Sequence, residues 1–203
     1  LGRVKPDEFI AIAEQTGDIR TLTMIVMRKA LAECRGWRDF GLDMSVAVNL
    51  SPVQFKNGGL AELVAAALKE SGLAPRRLEL EITESVLLDN TNSNIQTLEA
   101  LKALGVRIAL DDFGTGYSSL SYLRSFPFDK IKIDKSFVQD MWESQEAIAI
   151  IRAITGMGRS LHIETTAEGV ETDEQFARLK EEGCSHFQGY LFGKPVPADQ
   201  RAV

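Results

Sequence analysis

Apolar residues along the chain follow two alternating periods, which predict a succession of helices and strands. Pro6-Asp7-Glu8-Phe9 reads as a helix start, with proline first and acids in the first turn. Leu22, Ile25, Val26, Ala30, Leu31 and Cys34 share one helical face and predict a long helix over 19–37. A strand follows over 44–49. Leu60, Leu63, Val64, Ala67 and Leu68 mark a helix that Gly72 stops and Pro75 keeps stopped. A strand over 78–83 precedes a helix marked by Ile95, Leu98 and Leu101, ending near Gly105. Strands over 106–110 and 130–133, a helix over 146–157 and a strand over 162–167 come next. Thr172 with Gln175 forms a capping box for a helix ending at Gly183, and 185–188 is a last short strand.

The strands start some tens of residues apart, one strand–helix unit each, the rhythm of a parallel α/β fold. Six units are visible, two short of a closed eight-stranded barrel. On rhythm alone a doubly wound sheet is an open alternative. No linker-like stretch divides the chain, so one domain over 1–203 is expected.

What ends each strand is informative. The apolar runs lead into Asn49, into Glu81 with Glu84 three residues on, into Asp111-Asp112, into Glu168 and into Gln188, while Lys132 lies between Ile131 and Ile133. In an α/β barrel the C-terminal strand ends converge on one mouth, where chemistry sits. Carboxylates gathered there repel one another and need protons or cations. A set with oxygen donors and no His or Cys favours hard ions such as Mg²⁺ or Mn²⁺, and paired acids suit two ions flanking a phosphodiester. Taken singly, each residue has an ordinary reading. Glu81 fits a strand-end surface position, Asp111-Asp112 a helix cap, and Lys132 a solvated face. Six such coincidences at strand ends favour a site.

Composition narrows the partners. The net charge of -6 gives no general basic surface for a DNA or RNA polymer, although bound metals can supply positive charge locally. Cys34 and Cys184 make neither a zinc set nor a disulfide framework and read as small buried hydrophobes. The apolar runs are too short to span a bilayer. A cytoplasmic domain is expected, either on its own or as the cytoplasmic part of a membrane-anchored protein. Asp112-Phe113-Gly114 matches a kinase triplet, but no glycine-rich nucleotide loop or catalytic loop accompanies it. His162 and His186 read as structural residues near strand starts, and Trp37 and Trp142 as covers of the helix layer.

Six stretches together resemble the successive signatures of EAL domains. They are Asn49-Leu50-Ser51-Pro52, Glu81-Ile82-Thr83-Glu84, Asp111-Asp112-Phe113-Gly114-Thr115-Gly116, Lys130-Ile131-Lys132-Ile133-Asp134, Ala167-Glu168-Gly169-Val170-Glu171 and Gln188-Gly189-Tyr190. The resemblance implies a modified TIM (β/α)₈ barrel that cleaves cyclic di-GMP to linear pGpG with Mg²⁺ or Mn²⁺, two ions being expected. It implies metal ligands at Asn49, Glu81, Asp111, Asp112 and Glu168. Lys132 would orient or deprotonate the attacking water. Gln188 and Glu171 would serve the substrate, and Glu84 would anchor the loop over 112–119. It also implies a homodimer and a linked diguanylate cyclase-like or sensory domain. The name-giving Glu-Ala-Leu segment, with a metal-ligand glutamate and a phosphate-binding arginine, belongs upstream of Leu1-Gly2-Arg3-Val4 and has no match. An N-terminally incomplete domain is therefore expected. The competing functions are an EAL-like receptor without turnover, and an unrelated metal-dependent barrel lyase.

Overall fold

The computed structural model describes residues 4–37, 41–56, 58–88, 92–114, 126 and 128–198. The chain gathers into two compact units, Leu1–Arg107 and Ile108–Val203.

In the first unit, helix α1 (Pro6–Thr16) opens on Pro6, as expected, and closes on Gly17 in the left-handed region. Helix α2 (Ile19–Trp37) buries Thr23, Met27, Leu31 and Cys34, which lie three or four residues apart and so form one face. That face packs on strand β1 (Val46–Leu50) and on helix α4 (Leu60–Ser71), beyond the single turn α3 (Val53–Lys56). Gly72, left-handed, ends α4 by donating its N–H to the Leu68 carbonyl. Strand β2 (Leu78–Thr83) pairs parallel to β1, from Val46 opposite Leu78 to Leu50 opposite Ile82. Its first five residues are all buried, as in a parallel strand covered on both faces. Helices α5 (Ser85–Leu88) and α6 (Asn92–Ala103) complete the unit.

The second unit holds all but the first residue of strand β3 (Arg107–Phe113), then β4 (Lys130–Ile133), β5 (Glu164–Ala167) and β6 (His186–Phe187). Each pairs parallel with the next. Helices α7 (Lys135–Asp140) and α8 (Gln145–Leu161) lead from β4 to β5, and α9 (Asp173–Glu181) leads from β5 to β6. Ser144 caps α8 by accepting the Ala147 N–H, and the Thr172–Gln175 capping box opens α9 as the sequence predicts. Gly158 lets α8 lie close on β5: a β-carbon there would stand 2.6 Å from Thr165 Cγ2 and 2.9 Å from the Ile163 carbonyl oxygen.

Several boundaries differ from the periodicity, each for a local reason. β3 runs past residue 110 to Phe113 and carries both aspartates inside the strand. β5 begins at Glu164 because His162 is left-handed (φ 57) and ends α8, its N–H bonded to the Arg159 carbonyl. The histidine therefore stands at a helix end and not at a strand start. The turns α3, α5 and α7 have four to six residues, too few to show a period. Trp142 is 58% exposed and covers little. Both cysteines are free and buried, and burial pushes the Cys184 thiol up to about 12. Among the described residues no helix is long and apolar enough to cross a membrane.

Glu182 ties the second unit's helices together. Its carboxylate, 9% exposed, accepts from Arg152 Nε and Nη2 at 2.7 and 3.0 Å, and Arg178 Nε lies 2.9 Å away. Its backbone carbonyl accepts from Thr155 Oγ1 at 2.7 Å. The Arg152 hydrogen bonds hold the carboxyl below its ordinary range, against the opposing effect of burial. A carboxyl so depressed stabilises the fold above its unfolded pKa of about 4.3, and that contribution is lost as the pH falls through the folded value. Glu182→Gln is therefore expected to cost about 1 kcal/mol at pH 7, discounted because Arg152 is exposed. Urea denaturation will show the gap between wild type and variant closing below about pH 4.

Candidate metal centre

In a regular strand, adjacent side chains point to opposite faces. Asp111 and Asp112 depart from that pattern. Leu110 pairs with Ile131 and Phe113 with Ile133, so β3 carries one residue more than β4 between the two pairs, which is a bulge. Asp112 has φ 52, a left-handed conformation that aspartate tolerates better than most residues. Its backbone N–H donates to Asp111 Oδ1 at 3.1 Å. The bulge allows two consecutive acids to serve one place. One carboxylate oxygen each from Asp111, Asp112 and Glu168 fall within 4.8 Å of one another.

Lys132 comes to the same place from β4. It is 4% exposed, so it is not the solvated residue that its alternation with isoleucines allowed. Its Nζ stands 2.9 Å from Asp111 Oδ1 and 2.8 Å from Glu168 Oε1. Glu168 follows β5 directly, and its N–H is anchored on the Ile133 carbonyl. Asp134, two residues beyond Lys132, is a further member that the sequence reasoning did not assign. Its carboxylate caps α7 by accepting from the Ser136 N–H and hydroxyl. Burial pushes the Asp134 carboxyl up, but these Ser136 bonds and Lys135 outweigh it and hold it below its ordinary range. Its place at a strand end beside Lys132 was the available signal.

The centre is rich in negative charge. Burial first, then Asp111 and Asp134, raise the Asp112 carboxyl above its ordinary range, with Lys132 opposing. Lys132 pairs with Asp111 and Glu168 and Lys135 acts on Asp134, which leaves the four carboxylates in excess, and a divalent cation would relieve it. Donors that are all oxygen, close enough to share an ion, fit Mg²⁺ or Mn²⁺ better than zinc.

Gln188 follows β6, its N–H on the Ala167 carbonyl and its own carbonyl accepting from Val170. Its side chain is exposed. Glu171 is exposed as well, its N–H donated to Gln175 Oε1 at 2.7 Å. In the first unit the β1–β2 register sets Asn49 opposite Glu81, which is 6% exposed. Glu84 is equally buried, and neither of its carboxylate oxygens has a hydrogen-bond partner among the described residues. In the loop over 112–119, to which the resemblance assigns Glu84, residues 115–119 lie outside the described residues.

The family model of the EAL domain matches residues 1–195, and the chain belongs to that family. It is 42% identical over 200 residues to the bifunctional diguanylate cyclase/cyclic di-GMP phosphodiesterase MucR of Pseudomonas aeruginosa, covering 98% of this chain and 29% of that protein. A solved structure described as the PaMucR phosphodiesterase in complex with c-di-GMP superposes with a TM-score of 0.93 at 42% identity, covering 97% of this chain and 80% of that one. A manganese/cyclic di-GMP complex of Klebsiella pneumoniae BlrP1 gives 0.79 at 32% identity, over 95% of this chain and 48% of that one. The fold is thus the α/β barrel type of EAL domains, and the doubly wound alternative falls away. The chain spans about a quarter of the length of the curated relatives it matches.

A ligand that binds the folded state stabilises it by about 2.7 kcal/mol at a hundredfold excess over its Kd. Mn²⁺ or Mg²⁺ is therefore expected to raise the melting temperature by several degrees. Glu168→Gln, which removes one oxygen donor's charge, is expected to abolish most of that rise in the same thermal scan.

Proposed function

We propose that this domain hydrolyses cyclic di-GMP to linear pGpG with the help of Mg²⁺ or Mn²⁺. The observation that carries the reading is the cluster of Asp111, Asp112 and Glu168, with the exposed Asp112 beside the half-buried Glu168 and with buried Lys132 held between Asp111 and Glu168. A relative named a cyclic di-GMP phosphodiesterase and a neighbour solved with manganese and the dinucleotide support it.

Asp111, Asp112 and Glu168 hold a divalent cation in the second unit, and Asn49 with Glu81 is a pair of oxygen ligands in the first. When bound, the cation activates water and neutralises phosphate charge. Lys132, fixed by two carboxylates, is a directed donor to the attacking water or a phosphate oxygen. Gln188 and Glu171 hold water and substrate at the exposed ends of β5 and β6. Asp134 braces Asp112 and sets the start of α7. Water adds at phosphorus as the P–O3′ bond breaks. The new oxygen stays on the 5′-phosphate of pGpG, and a proton goes to the departing 3′ oxygen. The family resemblance further supports a homodimer and a linked diguanylate cyclase-like or sensory domain.

The test is product analysis by chromatography after incubating the full-length protein with cyclic di-GMP and Mn²⁺. Formation of pGpG is expected, and Asp111→Asn is expected to lower turnover on the order of a thousandfold, about 4 kcal/mol of metal-centred stabilisation. Tight binding with no pGpG would make the domain a receptor. Undiminished metal-dependent turnover in Asp111→Asn would remove the role given to that residue.

A further inference from the structure

Asn49 is the last polar residue of β1, and the chain turns at once through Ser51-Pro52 into α3. That turn is tied to both preceding helices. Ser51 Oγ accepts the Val53 N–H at 3.2 Å, and it donates to Glu14 Oε1 on α1 at 2.6 Å, 37 residues earlier. The Ser51 N–H donates to Gln54 Oε1 at 3.1 Å, and the same oxygen accepts from Thr23 Oγ1 on α2 at 3.2 Å. Thr23 and Gln54 are both buried. Glu14, Asn49, Ser51 and Thr83 line a single cavity of about 490 Å³ within the first unit.

These bonds differ in kind. The Thr23–Gln54 bond is between neutral groups. The Ser51–Glu14 bond is a short hydroxyl-to-carboxylate contact, the charge-assisted class that is about twice as strong. Ser51 has its hydroxyl proton committed to Glu14 and its oxygen committed to the start of α3, so its rotamer is fixed from both sides. Asn49 is two residues away on a continuous backbone, and movement of the turn moves its amide.

We propose that Glu14 is a positioning residue. Through the Ser51 hydroxyl it fixes the turn that sets where the Asn49 amide stands. The inference rests on the ligand role proposed above for Asn49.

The experiment uses the full-length protein and measures Mn²⁺ affinity by calorimetry, kcat and KM for cyclic di-GMP, and melting temperature. Glu14→Ala and Ser51→Ala are each expected to weaken Mn²⁺ binding about tenfold, as loss of a partner behind a metal ligand does, and to lower kcat with little change in KM. The double variant should be no worse than Ser51→Ala alone, because Glu14→Ala removes only the hydroxyl–carboxylate bond that Ser51→Ala has already cut. Ser51→Thr keeps the hydroxyl and should stay near wild type, and Glu14→Gln keeps an acceptor without its charge and should fall between wild type and Glu14→Ala. A lower melting temperature in Glu14→Ala with unchanged Mn²⁺ affinity, while Asn49→Ala weakens it, would overturn the proposal and leave a helix tie. Glu14→Gln as damaging as Glu14→Ala would also overturn it, since a role in charge or direct ligation would then be at work. If Asn49→Ala itself leaves Mn²⁺ affinity and turnover intact, the underlying ligand role fails, and that result is distinct from the other two.

Discussion

Lys132 is buried at the end of β4, with an acid from β3 and another from just beyond β5 at hydrogen-bond distance on either side. An ammonium at that depth is tolerable because both partners are present, and removing either would leave an uncompensated buried charge. The arrangement therefore constrains three neighbouring segments at once. The parallel register holds Lys132 opposite Thr166, two residues before Glu168, so β4 and β5 cannot slip by a residue without breaking the pair. Chemistry and register are enforced by the same contact.

The bulge in β3 follows from that constraint. A regular strand would give the centre one of its two consecutive aspartates. One extra residue and a left-handed Asp112 allow the centre to take both, at the cost of a backbone conformation that most side chains avoid. The loops beyond β5 and β6 are packed with comparable closeness. A β-carbon at Gly169 would stand 2.6 Å from Lys135 Cβ, and one at Gly189 would stand 2.1 Å from the Val170 carbonyl oxygen. Glu168 and Gln188 each precede one of these glycines. The glycines let the strand ends approach one another as the centre requires.

How far this was legible in the sequence depended on the physical signal each residue gave. Strands β2 and β4 could be bounded to the residue because apolar and charged residues alternate with a period of two from Leu78 to Ile82 and from Lys130 to Ile133. The long helix α2 has the bounds expected over 19–37, but its buried face runs through Thr23, Met27, Leu31 and Cys34, and Ile25 and Val26 of the expected stripe are exposed. Strand-end acids and amides could be named because a buried strand rarely ends in a charge without reason. Lys132 gave a misleading signal: alternation with isoleucine implies one wet face, yet a parallel strand is dry on both. Asp134 was passed over because a capping aspartate before Ser136 is ordinary by itself, and its contact with Asp112 is a tertiary fact. The extension of β3 to Phe113 was hidden because acidic residues normally mark a strand's end, and a bulge has no period. Glu14 was likewise invisible, since its partner Ser51 lies 37 residues away.

Charge decides what such a centre is for. Four carboxylates with Lys132 and Lys135 could persist as a purely structural knot if protons made up the difference, and burial with the neighbouring acids pushes the Asp112 carboxyl up. A structural knot, however, has no need of a bulge that brings a second aspartate's charge to the same place, nor of a strained backbone to hold it. Spending conformational free energy to concentrate like charge makes sense where an outside cation completes the set. The donors are oxygen throughout, so the cation they would suit is a hard one, and the substrate proposed above, a phosphodiester, is an anion that such a cation would neutralise. The acidic balance of the chain and its proposed affinity for an anionic dinucleotide are therefore consistent, because in that proposal the positive charge that meets the phosphates is carried by the ion and by Lys132.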